Sequence, residues 1–253
     1  MHLTILVPVK DVPAQWRLSG GALTRHGVPH RLDPIHEVPL EWARLLRDGG
    51  AAVRVVAMTL GPAAATGALQ RALALGADSI VQVGDDAPAG ADVRTTARAI
   101  AAVATRTGAD LVACGYESAD GSSGTVPAAV AACLGVPLLS RAGRAALEGG
   151  ALTVVRDLGG GPERVTAPLP AVVSFVEGAI EPRRPALREL LRTRSATPTA
   201  LSADDLGVRL PAEAVRDVRV VKAAVPERAA TVVGFDEGVA ALFALLTGEA
   251  ADA

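Results

Sequence analysis

Leu3 to Val9 is a short apolar run rich in β-branched residues, closed by Lys10-Asp11-Val12-Pro13, and it reads as a buried strand. Trp16 to Arg31 is polar and glycine-containing, the mark of a loop or hairpin. Pro34 opens a helix through Arg47, with Leu40, Ala43 and Leu45 at helical spacing and Gly49-Gly50 as its stop. Val53 to Met58 and Ser79 to Val83 read as strands, separated by a helix from Gly61-Pro62 to Leu75. A third helix spans Asp92 to Thr107, a strand Leu111 to Cys114, and a fourth helix Ser122 to Leu134. Gly135-Val136-Pro137 then turns into another apolar run. Strands alternating with helices predict an α/β fold built on a parallel sheet with right-handed crossovers.

The pattern changes after about Ser140. Ala151 to Val155 and Glu163 to Ala167 predict a hairpin around Gly159-Gly160-Gly161, and Ala171 to Phe175 one more buried strand. From Glu181 the chain turns proline- and arginine-rich and loses periodicity, until Thr231 to Thr247 regains an apolar helical pattern. The expected layout is an α/β core over residues 1–190, then a linker and C-terminal arm over 191–253, with no internal repeat.

Composition narrows the chemistry. Half the residues are hydrophobic but only 2 % are aromatic, so Ala, Val and Leu must fill the core and favour close helix-on-sheet packing. A net charge of -2 argues against nucleic acid as a partner. Lysine occurs only at Lys10 and Lys222. Cys114 and Cys133 read as small buried hydrophobes in a reducing compartment. No run has the form of a signal peptide or approaches the roughly 20 apolar residues of a membrane span. The expectation is a soluble, cytoplasmic protein without membrane insertion. His2, His26, His30 and His36 show no ligand spacing, so no metal is expected.

In open parallel sheets, ligands bind beyond the carboxyl ends of the strands. Three small-residue loops fall there: Pro8-Val9-Lys10, Thr59-Leu60-Gly61-Pro62, and Gly115 to Thr125. The third reads Gly-Tyr-Glu-Ser-Ala-Asp-Gly-Ser-Ser-Gly-Thr and leads into a helix. Glycines allow an anion to approach the backbone, hydroxyls add donors, and a helix start orients N–H groups. The same residues also fit a plain capped helix entry with Asp120 or Ser122 as N-cap. The loop is neither a Walker loop nor a GxGxxG fingerprint. No hydrolase elbow surrounds Ser122 or Ser123, so no catalytic residue is assigned. A nucleotide hydrolase would need a metal-binding carboxylate pair, for which only Glu117 and Asp120 are near.

Six ordered segments carry a resemblance. They are ILVPVKDVPAQW over residues 5–16, Leu32-Asp33-Pro34-Ile35-His36-Glu37, Leu60-Gly61-Pro62-Ala63, ALALGAD over 72–78, Leu169-Pro170-Ala171-Val172-Val173, and Glu181-Pro182-Arg183. With them the chain resembles, over nearly its whole length, the β subunits of electron-transfer flavoproteins.

The resemblance implies a Rossmann-like sheet of the adenine nucleotide alpha-hydrolase type and a non-catalytic electron-carrier subunit. Pro8, Val9, Asp33, Pro34, Leu60, Asp120, Gly121, Ser122, Ser123, Gly124, Thr125 and Val126 would surround a nucleotide, AMP or a second FAD. Gln15, Trp16 and Ile35 would lie near an FAD held mainly by the α subunit of a heterodimer. Glu181, Pro182, Arg183, Leu187 and Leu191 would form a recognition loop for flavin dehydrogenases of the acyl-CoA type, with a membrane quinone oxidoreductase as acceptor. An electron-bifurcating relative or a stand-alone adenine-nucleotide-binding protein are the alternatives. The loop keeps Asp120 but replaces the family's Asn-Gln with small residues, Asp33 replaces Asn, and an arginine-rich run follows Leu187 where the family has lysines.

Overall fold

The structure, a computed structural model, describes residues 2–15, 17–19, 22–24, 27–84, 92–208 and 232–247. Two compact units result, Met1–Val218 and Arg219–Ala253.

The first unit opens with β1 (Leu3–Pro8) and the short strands β2 (Asp11–Pro13), β3 (Arg17–Ser19), β4 (Ala22–Thr24) and β5 (His30–Leu32). β2 pairs with β5 and β3 with β4, so the polar stretch before Arg31 does form hairpins. A single 3-10 turn, Pro34–His36, leads into α1 (Glu37–Asp48). There follow β6 (Val53–Leu60), α2 (Thr66–Ala74), β7 (Ser79–Val83), α3 (Val93–Thr107), β8 (Leu111–Gly115) and α4 (Val126–Leu134). The chain continues through β9 (Leu138–Ala142), β10 (Arg144–Glu148), β11 (Ala151–Asp157), β12 (Pro162–Pro168), β13 (Ala171–Phe175), α5 (Leu187–Thr193) and β14 (Thr199–Leu201).

Seven strands form one sheet in the order β14-β7-β6-β1-β8-β13-β9, with every pairing parallel. Side chains alternate across a strand, so each strand feeds two cores. Ile5, Val55, Ala113 and Phe175 face α1 and α2, while Leu6, Val56, Val112 and Val172 face α3 and α4. Both faces are covered, which explains why the strands read as continuous apolar runs. Small helix residues, Ala68 and Ala72 in α2, Ala97 and Ala104 in α3, let the helices lie close to the sheet.

Trp42 of α1 stacks obliquely on Phe175 at 5.3 Å between centroids. Its indole N–H donates to the Ala145 carbonyl at 3.1 Å, tying α1 to the antiparallel layer β10-β11-β12. Burying two aromatics of this size contributes several kcal/mol.

Several expectations need correcting. The hairpin is three-stranded, because β10 precedes it. The last core helix starts at Val126, not Ser122. The aperiodic stretch after Glu181 contains α5, and the stretch after residue 190 supplies β14, which pairs with β7. These elements are only seven and three residues long, too short to imprint a period. Cys114 is buried but Cys133 is exposed; burial pushes the Cys114 thiol up to about 12 and leaves it inert.

The second unit contains α6 (Phe235–Thr247), an apolar helix with none of its side chains buried. The sequence expectation over 209–231 lies outside the described residues. Among the described residues no helix is long and apolar enough to cross a membrane.

Candidate functional site

From β1 the sheet runs one way to β6 and β7, and from β8 the other way to β13 and β9. Their shared carboxyl end is the switch point where a ligand crevice is expected. Three segments meet there, joined by Asp33. Its N–H donates to the Lys10 carbonyl at 3.0 Å. Its carboxylate, 2 % exposed as a residue, accepts from Ala119 N–H at 2.7 Å and from Ile35 N–H at 3.4 Å. One buried acid therefore clamps the end of β1, the turn into α1 and the loop after β8. Lys10, though 43 % of its side chain is exposed, is held: its Nζ sits 2.7 Å from Asp120 Oδ1 and donates to Ser118 Oγ at 3.2 Å. Asp120 serves that pair and not as a helix cap.

The loop is shaped by close approach. A Cβ on Gly115 would lie 3.0 Å from Ile35 Cγ2 and 3.1 Å from His36 Nδ1, so only glycine lets the α1 turn pack over the end of β8. Gly124 has φ +59, and a Cβ there would meet the Tyr116 hydroxyl at 2.8 Å. Between them the Ser118 carbonyl accepts from Gly121 N–H at 3.2 Å and Ser122 N–H at 2.8 Å. Thr125 is the N-cap of α4, without a side-chain capping bond. Among the described residues the Ser123 and Gly124 amides have no acceptor. Gly121, Ser122, Ser123 and Thr125 are exposed, while Val126 is half-buried. Two uncommitted N–H groups beside exposed hydroxyls, at the start of a helix, fit a phosphate-bearing group. Beside Leu32 and Pro34 a groove of about 550 Å³ opens, walled by Glu37 and Arg71, whose side chains pair at 2.9 Å. None of its lining residues belongs to the loop after β8; it is a neighbouring groove between the β2–β5 hairpin, α1 and α2.

His36 is buried directly behind this joint, and neither ring nitrogen has a hydrogen-bond partner. Burial lowers its pKa to about 4, with Lys10 adding to the drop and the carboxylates of Asp33 and Asp120 and the Pro8 carbonyl opposing it. The sequence offers His36 only as an unlikely metal ligand, because its burial depends on Gly115 at the far end of β8. Among the described residues no three His, Cys, Asp or Glu side chains converge on a metal position.

Other expected positions disperse. Pro8 and Val9 are buried beneath the joint. Leu60, half-buried, packs with the α3 and α4 core, and its neighbouring turn is tied to β7 by Gln82 Nε2 donating to the Pro62 carbonyl at 2.6 Å. Ile35 lies in the joint, Gln15 is exposed, and Trp16 lies outside the described residues. Glu181 is exposed and Pro182 half-buried. Arg183 grips Glu189 with two bonds of 2.9 and 3.1 Å and donates to the Ala74 carbonyl at the end of α2 at 3.1 Å. Glu189 also accepts from Ala186 N–H at 2.6 Å, closing the first turn of α5. Leu187 and Leu191, one helical turn apart, stand out at 71 % and 58 % exposure. The expected loop is thus a clasped helix.

The Arg183 bonds, then the Ala186 bond, hold the Glu189 carboxyl down to about 2. A depressed carboxylate stabilises above its ordinary pKa and is lost as pH falls through the folded value, so the clasp should persist into strong acid. Glu189→Gln is expected to speed amide exchange across residues 186–193 at neutral pH, read by hydrogen–deuterium mass spectrometry. Unchanged exchange would show that the clasp does not hold α5.

The match to known proteins is extensive. The family model described as "Electron transfer flavoprotein domain" matches residues 20–206. The "Electron transfer flavoprotein subunit beta" of Mycobacterium tuberculosis (strain ATCC 25618 / H37Rv) is 37 % identical over 214 residues, 81 % of this chain and 80 % of the relative. That of Syntrophomonas wolfei subsp. wolfei is 31 % identical over 210 residues, covering 81 % and 82 %. "Protein FixA" of Azorhizobium caulinodans is 34 % identical over 222 residues, covering 82 % and 77 %.

Proposed function

We propose, for a chain that belongs to the electron transfer flavoprotein family as one of its β subunits, that it is the nucleotide-holding half of a heterodimer whose α subunit carries most of the FAD contacts. The observation that carries this reading is the joint at the switch point: Asp33 fastening three segments, Lys10 paired with Asp120, and two free amides at Ser123 and Gly124. The bound nucleotide is AMP, its phosphate facing the Gly121–Thr125 loop. FAD supplies the redox chemistry when bound. This chain's own residues position, exclude water and dock. Residues 1–190 hold the nucleotide, with Gln15 and Ile35 toward the partner's flavin.

Leu187 and Leu191 form an apolar anchor suited to a dehydrogenase pocket, since exposed leucines framed by charge are a common contact core. Donors of the acyl-CoA dehydrogenase type and a quinone oxidoreductase as acceptor complete the reading, in the cytoplasm. Helix α6, with Val239, Leu242, Phe243 and Leu246 uncovered, is the part of the C-terminal arm that lies on the α subunit.

Co-expression with the α subunit tests this directly. The chain alone should be colourless, and the heterodimer yellow. Acid release should yield about one AMP per heterodimer, identified by mass. FAD in twofold amount without AMP would favour the bifurcating type. ATP hydrolysis by the isolated chain, or tight FAD binding without any partner, would refute the carrier reading.

A further inference from the structure

We propose that Arg141 is an additional phosphate-binding residue of the nucleotide site, held out of its strand so that its guanidinium meets the anionic end of the nucleotide beside the Gly121–Thr125 loop. The assignment rests on the nucleotide reading above.

Arg141 occupies a bulge. Along β13 the pairing partner moves from Leu139 at Val173 to Ala142 at Phe175, so β9 carries one residue too many. An extra residue of this kind re-aims a side chain. Arg141 has φ 57, a conformation in which glycine sits freely and other residues are strained. Its N–H donates to the hydroxyl of buried Ser174 at 3.0 Å, which holds the bulge in place. Packing alone gives no reason for an arginine where glycine would remove the strain. Strain kept in a well-packed frame is a sign of function.

The bulge puts the guanidinium carbon 4.6 Å from the centre of the Tyr116 ring. Tyr116 in turn presses its hydroxyl end against Gly124. Arg141 is therefore one ring removed from the free amides of Ser123 and Gly124. Stacking on an aromatic face keeps a guanidinium oriented while leaving its edge for a ligand.

Charge accounting supports the same assignment. Arg44, Arg71, Arg156 and Arg183 each pair with a glutamate, and half-buried Arg47 pairs with Asp78. Among the described residues Arg141 has no acidic partner, and its Nε is buried without an acceptor. Lys10, on the other side of the loop, is already matched by Asp120. Among the described residues Arg141 is thus a cation without an acidic partner, stacked on the ring that borders the loop, and a guanidinium fork suits phosphate oxygens.

The test uses the heterodimer stripped of nucleotide and titrated calorimetrically with AMP and with adenosine. Arg141→Gln and Arg141→Gly are each expected to weaken AMP binding by about 10- to 100-fold, the worth of a charge-assisted contact. Adenosine, lacking the phosphate, should bind both variants as it binds the wild type. Arg141→Gly also removes the strained φ, so its melting temperature should equal or exceed the wild-type value, which keeps misfolding from imitating the effect. AMP affinity within about twofold of wild type in both variants overturns the assignment while leaving the nucleotide site standing. Equal weakening of AMP and adenosine overturns it too, since a collapsed site and not a lost phosphate contact would be responsible. Failure of the wild-type heterodimer to bind or contain any adenine nucleotide removes the underlying reading together with Arg141.

Discussion

Phe175→Ala should lower the unfolding free energy by about 4 kcal/mol, the cost of an aromatic deletion that leaves a cavity. The ring is fully buried at the end of β13, against Trp42 at 5.3 Å. Its neighbours along the sheet are Gly115 on β8 and Ala142 on β9, which have no reach to fill the void. The same residue's carbonyl accepts from Tyr116 N–H at 2.8 Å, so the loss also loosens the root of the loop after β8. Urea unfolding followed by circular dichroism gives the value. A loss below about 1 kcal/mol would mean that the surroundings collapse freely, contrary to close packing. Phe175→Leu, which keeps most of the volume, should cost about 1.5 kcal/mol or less.

Acidification from pH 7 to 4.5 should remove about 2.5 kcal/mol through His36 alone. The unfolded imidazole takes its proton near 6.5, the folded one only near 4. Between those values the unfolded chain binds more protons, so stability falls as pH falls. The contribution is whole above about 6.5 and gone by about 4. Lys10 from the end of β1, Asp33 from the α1 turn and Asp120 from the β8 loop are the charges that act on the ring. His36→Leu removes both orphaned nitrogens. Its stability should equal or exceed wild type at neutral pH and decline less on acidification, by about the same 2.5 kcal/mol. Parallel stability curves for the two proteins across this range would refute the role of His36.

Much of the sheet was legible in the sequence because its strands are buried on both faces. Runs such as Leu3 to Val9 and Leu111 to Cys114 need only continuous hydrophobicity to be seen. The helix at Asp92 announces itself by its cap, and the structure has Asp92 accepting from Thr95 N–H at 2.6 Å. Short elements escaped: β10 and β14 are fixed by pairing with distant strands and not by local preference. The candidate site was half visible. Small residues after β8 point to a ligand loop, but the burial of Asp33 and its bond to Ala119, 86 positions away, can only be seen once the chain is folded. Arg141 had no local signal, since a positive φ at arginine comes from a register shift between two strands. Arg183 carried a motif, yet its grip on Glu189 depends on α5, which no periodicity betrayed.

Both outer rails of the seven-stranded sheet make poor templates for another chain. On one side β14 offers three residues; on the other β9 is kinked by its extra residue and flanked by the antiparallel layer. In a subunit synthesised ahead of its partner, the large sheet is therefore guarded against strand-on-strand polymerisation. Among the described residues the longest uncovered apolar stretch is the greasy helix at residues 235–247, which makes prompt assembly, more than edge protection, the condition for keeping the unpaired chain in solution.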